Sequence, residues 1–434
     1  MIDSIEVNGY RLLDQFEADF GDLTVVIGAN AAGKSTVMDC LRFISSSVQL
    51  PLRDVVRLAG GLSSILTAFS KNDRVSWKLV FRKPLNHPYW KNAPLDDDQA
   101  YVYEVTIGKD SYGEPVPDYE VLRKEHPYAG HEEPLKYLEA TLRRSLVFSR
   151  TEHRLVSFDE AVGDKTVELF GKREHPKESG DGIVEPPQVA EQQQSLRLAQ
   201  MKFLNEYPIL SWTRALLSTS AFYPGFDVGR NSKLRTQPAE IAPTTVLYPD
   251  GENLGTVFHE ILTRAAYRAS AVEIREFLRV AYPIFDDIFA ETTFGTPPKV
   301  LLRVREKGLK RPMEVWELSD GMVRFLCLSA ALLNPMPPAF IAIDEPEVGL
   351  HPRLLPVVAD MIKTAGERTQ VLITTHSPDL LNCFDIDNLA VMAREENKVT
   401  WSRPGDRQTL RTMLASVVGD SLGDHHRSGE LEAL

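Results

Sequence analysis

A lysine-serine pair closing a glycine-bearing loop, two adjacent acids at a strand end and a histidine at the next strand end are the parts of a phosphate-cleaving site. The run GANAAGKST (Gly28 to Thr36) fits G-x-x-x-x-G-K-[ST], following the apolar run LTVVIG and preceding VMDCLRFI, which has helical spacing. Strand, loop and helix are the context this motif requires. The glycines let the backbone curl, so that the N–H groups of Asn30, Ala31, Ala32, Gly33, Lys34, Ser35 and Thr36 turn toward phosphate oxygens at a helix N-terminus. Lys34 is expected to reach the β- and γ-phosphates of ATP and Ser35 to place its hydroxyl on Mg²⁺.

The apolar strand FIAI ends in Asp344 and Glu345. Alone, hydrophobics followed by two acids describe an ordinary solvated turn. Downstream of a phosphate loop, they place Asp344 on the Mg²⁺ shell and Glu345 as general base on the attacking water. Pro346 and Pro352 bracket EVGLH and stiffen the turn, with Gly349 at a special backbone position. His376 follows a second strand, QVLITT, at a distance that fits a helix, a turn and the next parallel strand, and is expected to contact the γ-phosphate.

The segment LSDGMVRF (Leu318 to Phe325) reads locally as a core helix N-capped by Ser319. Its LS-x-G-x-x-R pattern, lying shortly before Asp344, resembles the signature of ABC-type ATPases. That resemblance implies that Ser319, Gly321 and the helix N-terminus bind the γ-phosphate on a partner chain's loop, and that Arg324 bridges to the partner or to the turn near Glu347. DEPE-x-x-LHP followed by TTHSP, and the opening SIEVNGYRLLDQFEADF, resemble the non-transporter branch: small AAA-type ATPases related to RecF, SMC heads and overcoming-lysogenization-defect proteins. YPDGENLGTVFHEIL (Tyr248 to Leu262) is similar to that group's DG-x-NL segment. The resemblance implies an α/β head with a mixed sheet, ATP and Mg²⁺ as cofactors, and a head-to-head homodimer or higher oligomer. It also implies, often, a separate nuclease or Toprim-like effector in anti-phage defence. The strand-end glutamine usual in ABC ATPases is missing, since RLAGGLSSILTAFSKNDRVSWKLVF contains none. Arg11 and Tyr10 are candidates for phosphate and base contacts, with Tyr10 equally readable as core.

A chain of 434 residues with 43% hydrophobic content can bury a large core and carry an insertion. No apolar run approaches a membrane span, the start MIDSIEVNGY lacks signal-peptide character, and Cys40, Cys327 and Cys383 lack disulfide or zinc spacing; a cytoplasmic protein with buried free thiols is expected. The net charge of −12 disfavours unaided, nonspecific DNA binding. The basic clusters Arg143, Arg144, Arg150, Arg154 and Arg303, Arg305, Lys307, Lys310 read as solvated faces.

Three parts are expected: an N-terminal lobe (1–84) with the phosphate loop, an insertion or lid (85–300), and a C-terminal lobe (301–434) with the signature, acids and histidine. PLKYLEATLRRSL reads as a helix, RLVSFDE and KTVELFG as strands, HPKESGDGIVEPPQVAEQQQ and GRNSKLRTQPAEIAPTT as loops, and MEVWELS as a strand. The insertion lacks sustained heptads and contains scattered prolines, which excludes a long coiled-coil arm. The segment after His376 lacks separated acids of Toprim type, and His425 and His426 read as solvated. The expectation is therefore an ATPase that passes its state to an effector, with a RecF-like DNA-binding repair ATPase as the alternative.

Overall fold

The computed structural model describes residues 1–69, 73–82, 99–125, 136–141, 144–149, 154–157, 195–200, 208–293, 295, 298–406, 421–429 and 431. β1 (Ile2–Asn8) and β2 (Phe16–Asp19) pair as a hairpin, and β3 (Leu23–Ile27) leads into the phosphate loop. β4 (Val75–Phe81), β5 (Tyr101–Lys109), β6 (Pro115–Lys124), β7 (Lys136–Thr141), β8 (Arg144–Ser149) and β9 (Arg154–Ser157) continue from β1 as an antiparallel sheet. That sheet takes strands from both sides of residue 84, β4 before it pairing with β5 after it. β10 (Ala221–Tyr223) begins the return toward the phosphate loop, and β11 (Ala239–Glu240), β12 (Phe285–Thr292), β13 (Lys299–Glu306) and β14 (Met313–Glu314) form a small antiparallel sheet.

β15 (Phe340–Asp344), β16 (Gln370–Thr374), β17 (Leu389–Glu395) and β18 (Lys398–Ser402) complete a six-stranded sheet in the order β10-β15-β16-β3-β17-β18. All its pairs are parallel except the β17–β18 hairpin. β16 is buried along its whole length, as expected of an interior parallel strand covered on both faces. Side-chain alternation makes β3 a wall between two cores. Val26 packs with Met38, Leu41 and Phe340, whereas Val25 and Ile27 pack with Leu326, Val358 and Ile373.

The helices used below are α1 (Lys34–Ser47), α2 (Pro208–Ser218), α3 (Leu254–Thr263), α4 (Arg268–Ala281), α5 (Asp320–Leu332), α6 (Leu355–Gly366), α7 (Pro378–Leu381) and α8 (Leu422–Ser428). α1 and α4, at 14 residues each, are the longest among the described residues, so these residues build no coiled-coil arm. None is long and apolar enough to cross a membrane. The buried amide of Gln370 joins the two large sheets: it accepts from the Ile2 N–H at 2.8 Å and donates to the carbonyls of Ile2 at 2.7 Å and Gly21 at 3.0 Å.

Several local expectations need correction. The described residues of PLKYLEATLRRSL form no helix but parts of β7 and β8, with Thr141 opposite Arg144. The open edge of β6 supplies β7 with a ladder, and that nonlocal pairing outweighs helix propensity. MEVWELS pairs only at Met313 and Glu314. Val315–Glu317 then turns as a 3-10 segment, closed by reciprocal Glu314 and Glu317 side-chain bonds to backbone. GRNSKLRTQPAEIAPTT contains a helical turn, Lys233–Thr236, and β11. His425 and His426 are half-buried, because α8 packs on α7 and the Gly423 N–H donates to Asn382 Oδ1 at 2.6 Å. Cys40 and Cys327 are buried free thiols and Cys383 is half-buried. KTVELFG and the HPKESGDGIVEPPQVAEQQQ loop lie outside the described residues.

Candidate nucleotide site

Gly28 leaves β3 at φ 154°, where a Cβ would stand 2.2 Å from the Met392 carbonyl oxygen; no side chain fits. Ala31 (φ 63°) and Gly33 (φ 106°) complete a left-handed curl before α1. Lys34 is buried within this loop, and its Nζ donates to the carbonyls of Gly28 at 2.7 Å and Ala29 at 3.1 Å. The ammonium therefore sits inside the curl, where it can meet phosphate oxygens.

Parallel pairing of β15, β16 and β3 brings their C-terminal ends side by side. There Ser35 Oγ donates to Asp344 Oδ2 at 3.0 Å, and Thr374 Oγ1 donates to Asp344 Oδ1. A hydroxyl and a carboxylate oxygen meeting at one point form an all-oxygen donor set suited to a hard cation such as Mg²⁺. Glu345 follows at φ 46°, a left-handed geometry that costs a residue with a Cβ about 1–3 kcal/mol. Its backbone N–H is held by the carbonyl and hydroxyl oxygens of Thr374, both at 3.2 Å. Its Oε1 lies 3.8 Å from His376 Nε2. Burial and then the nearby Lys34 ammonium hold the His376 imidazole below its usual range, against the raising effect of Glu345.

Glu347, two residues on, grips the histidine strand. Its Oε1 accepts from Thr375 Oγ1 at 2.6 Å and from the His376 N–H at 3.1 Å. Burial raises its pKa above the usual carboxylate range, against the lowering effect of those bonds. Thr374, Thr375 and Glu347 were not assigned from sequence as site residues. Their only signal was position, adjacent to His376 or inside the acidic turn.

Arg11 lies beside α1. Its guanidinium bonds Asp39 Oδ2 at 2.5 Å and the Ala59 carbonyl at 3.2 Å. Together with Asp39, Arg42, Leu58 and Ala59 it lines a cavity of about 340 Å³. Tyr10 also lines it but is buried and packs on Phe43, so it is a core residue rather than an open stacking platform. Ser319, Asp320 and Gly321 are placed elsewhere. Ser319 is an exposed N-cap whose Oγ accepts from the Met322 N–H at 3.2 Å, and α5 packs against α3 and α6 while α1 packs against α2 and β15. A Cβ on Gly321 would meet the Gly349 carbonyl at 3.3 Å, and one on Gly349 would meet Arg324 Nε at 3.3 Å. Arg324 thus reaches the turn of its own chain. The DG-x-NL resemblance marks a turn with Gly251 at φ 80°. There the Asn253 side chain accepts from the Tyr248 N–H at 2.7 Å and donates to the Val246 carbonyl at 2.9 Å before α3.

A phosphate loop between parallel strands, acids on the next strand but one, a histidine between them and a capped signature helix define an ABC-class ATPase head. The chain belongs to the family described as AAA domain, putative AbiEii toxin, Type IV TA system, whose profile matches residues 23–159 and 236–382, more than half of the chain. It is 26% identical over 176 residues to the DNA repair protein RecN of Rickettsia bellii (strain RML369-C). That match covers 37% of this chain and 29% of RecN, so it spans under a third of that relative. In fold it resembles the SmcHead crystallised with the C-winged helix domain of ScpA (TM-score 0.50, 13% identity, covering 92% of this chain and 97% of that one). The Smc head with an extended coiled coil, bound to the C-terminal domain of ScpA from Pyrococcus furiosus, gives a TM-score of 0.48 at 14% identity, covering 96% and 99%.

Proposed function

We propose that this chain binds ATP with Mg²⁺ and hydrolyses it in sites completed by a second copy, and that the paired state controls a separate effector. The observation that carries the reading is the meeting of Lys34, Ser35, Asp344, Glu345 and His376 at adjoining strand ends, with Ser319 exposed on a different helix. Ser35 and Asp344 would hold Mg²⁺, which would neutralise charge on the phosphates. Glu345 would accept the proton of the attacking water, and His376 would contact the γ-phosphate. The backbone of Asn30 to Thr36 would cradle the phosphates and Arg11 would stand at the edge of the nucleotide. Ser319 and Gly321 would close the partner's site as exposed donors at a helix N-terminus. The proposed division of labour gives nucleotide to residues 1–84 and 301–434, joined by β10 and the 226–235 segment from within 85–300. It gives the rest of 85–300 to the effector, which would be a nuclease or Toprim-like protein in anti-phage defence, acting in the cytoplasm.

Complementation tests the composite site. Lys34→Ala and Ser319→Arg should each be inactive alone, yet their mixture should regain turnover, because the mixed pair holds one site with an intact loop and an intact signature. Full activity of Ser319→Arg by itself would dismiss the trans arrangement.

A second reading, a repair ATPase that engages duplex directly, is favoured by the RecN similarity. The acidic balance weighs against it. Under the effector reading, the purified chain should leave plasmid DNA uncut with Mg²⁺ or Mn²⁺, with or without ATP. The acids in the described site are committed to nucleotide, and no cluster of metal-binding acids, histidines or cysteines occurs among the described residues. Cleavage that survives Glu345→Gln would reveal a separate nuclease centre.

A further inference from the structure

Arg235 is buried, with its side chain 2% exposed, in a segment that the sequence reading treats as an ordinary loop. Its guanidinium makes four hydrogen bonds, three of them around the start of α5. Nε donates to the Val228 carbonyl at 2.7 Å, Nη1 to the carbonyls of Val315 at 3.0 Å and Leu318 at 2.7 Å, and Nη2 to Asp320 Oδ1 at 2.6 Å. The same segment touches the helix a second time, where Arg324 Nη2 donates to the Phe226 carbonyl at 3.4 Å. Residues 226–235 therefore sit across the first turn of the signature helix.

We infer that Arg235 is a positioning residue for the signature, setting the donors that this chain offers to its partner's nucleotide; the inference rests on the composite-site reading. Two physical effects support it. The Leu318 carbonyl belongs to the peptide that enters Ser319, so a fixed guanidinium fork on that oxygen fixes the N-cap backbone and the direction of the Ser319 hydroxyl. Asp320 is 67% exposed in the first turn, where its carboxylate would face an approaching triphosphate. Nη2 draws that carboxylate back and neutralises it, so the helix start stays receptive to an anion. A lysine keeps the charge but cannot span three carbonyls and a carboxylate.

The test uses full-length chains. Arg235→Lys should bind a fluorescent ATP analogue as wild type does, because its own phosphate loop is untouched, while turnover falls between roughly tenfold and 100-fold, the scale of a small misplacement of reacting groups. Mixed with Lys34→Ala, it should recover turnover to the level of the Ser319→Arg and Lys34→Ala mixture. A merely structural defect would not be repaired by a partner whose phosphate loop is dead. Arg235→Met with Asp320→Asn should exceed Arg235→Met alone, since the uncompensated carboxylate is then gone. If the Ser319→Arg mixture recovers and the Arg235→Lys mixture does not, Arg235 has no role in trans and the inference fails by itself. If neither mixture recovers, the composite site fails and takes this inference with it. Wild-type turnover in Arg235→Lys alone also overturns it.

Discussion

Replacing Glu345 with glutamine is expected to lower ATP turnover by roughly 100-fold or more, the usual contribution of a general base, while ATP binding stays close to wild type. The amide keeps the shape of the side chain and cannot take a proton from water. Its backbone anchor on Thr374 is independent of the side chain, so the left-handed turn should persist. ATP held without hydrolysis should then accumulate the paired form. Sedimentation of Glu345→Gln with and without ATP checks this: a nucleotide-dependent doubling of mass is expected, and a mass indifferent to ATP would remove nucleotide-driven pairing. Turnover within a few-fold of wild type would remove Glu345 from the general-base role.

Replacing Lys34 with alanine is expected to weaken ATP binding by roughly 100-fold, the scale of losing a charge-assisted contact to phosphate. The ammonium is buried inside the loop on the carbonyls of Gly28 and Ala29, so its removal also takes the brace from the cradle. Titration of a fluorescent ATP analogue measures the effect directly. An affinity equal to wild type would end the phosphate-cradle reading, whatever happens to turnover. The two variants separate binding from chemistry, because one loses nucleotide and the other retains it unspent.

The proposed nucleotide site was legible because its chemistry is local. Gly28, Gly33, Lys34 and Ser35 act through a loop whose shape is written in nine consecutive residues, and Asp344 and Glu345 act through one strand end. Parallel strands with crossover helices then bring such strand ends together almost obligatorily. What stayed hidden depends on distant partners. β7 and β8 exist because β6 offers an edge, and no periodicity within PLKYLEATLRRSL announces that edge. Arg235 looks like any loop arginine until Val315, Leu318 and Asp320 are folded around it, some 80 residues downstream. Tyr10 was undecidable from sequence because an aromatic before a phosphate loop suits either a base or a core. Packing against Phe43 assigns it to the core.

The sheet order also governs how the molecule comes into being. β3 lies between β16 and β17, so the strand that launches the phosphate loop is among the first made and among the last to acquire neighbours. At translation rates of about 5–20 residues per second, roughly 350 further residues keep it waiting on the order of 20–70 s. Through that interval Val25, Val26 and Ile27 are an apolar segment without the strands that flank it in the fold, the kind of segment that favours aggregation. A nascent chain therefore holds the phosphate-loop sequence for most of its synthesis before β16 and β17 exist to flank it. The proposed site needs the ends of β15 and β16 beside the loop, so nucleotide binding would report a late step of folding.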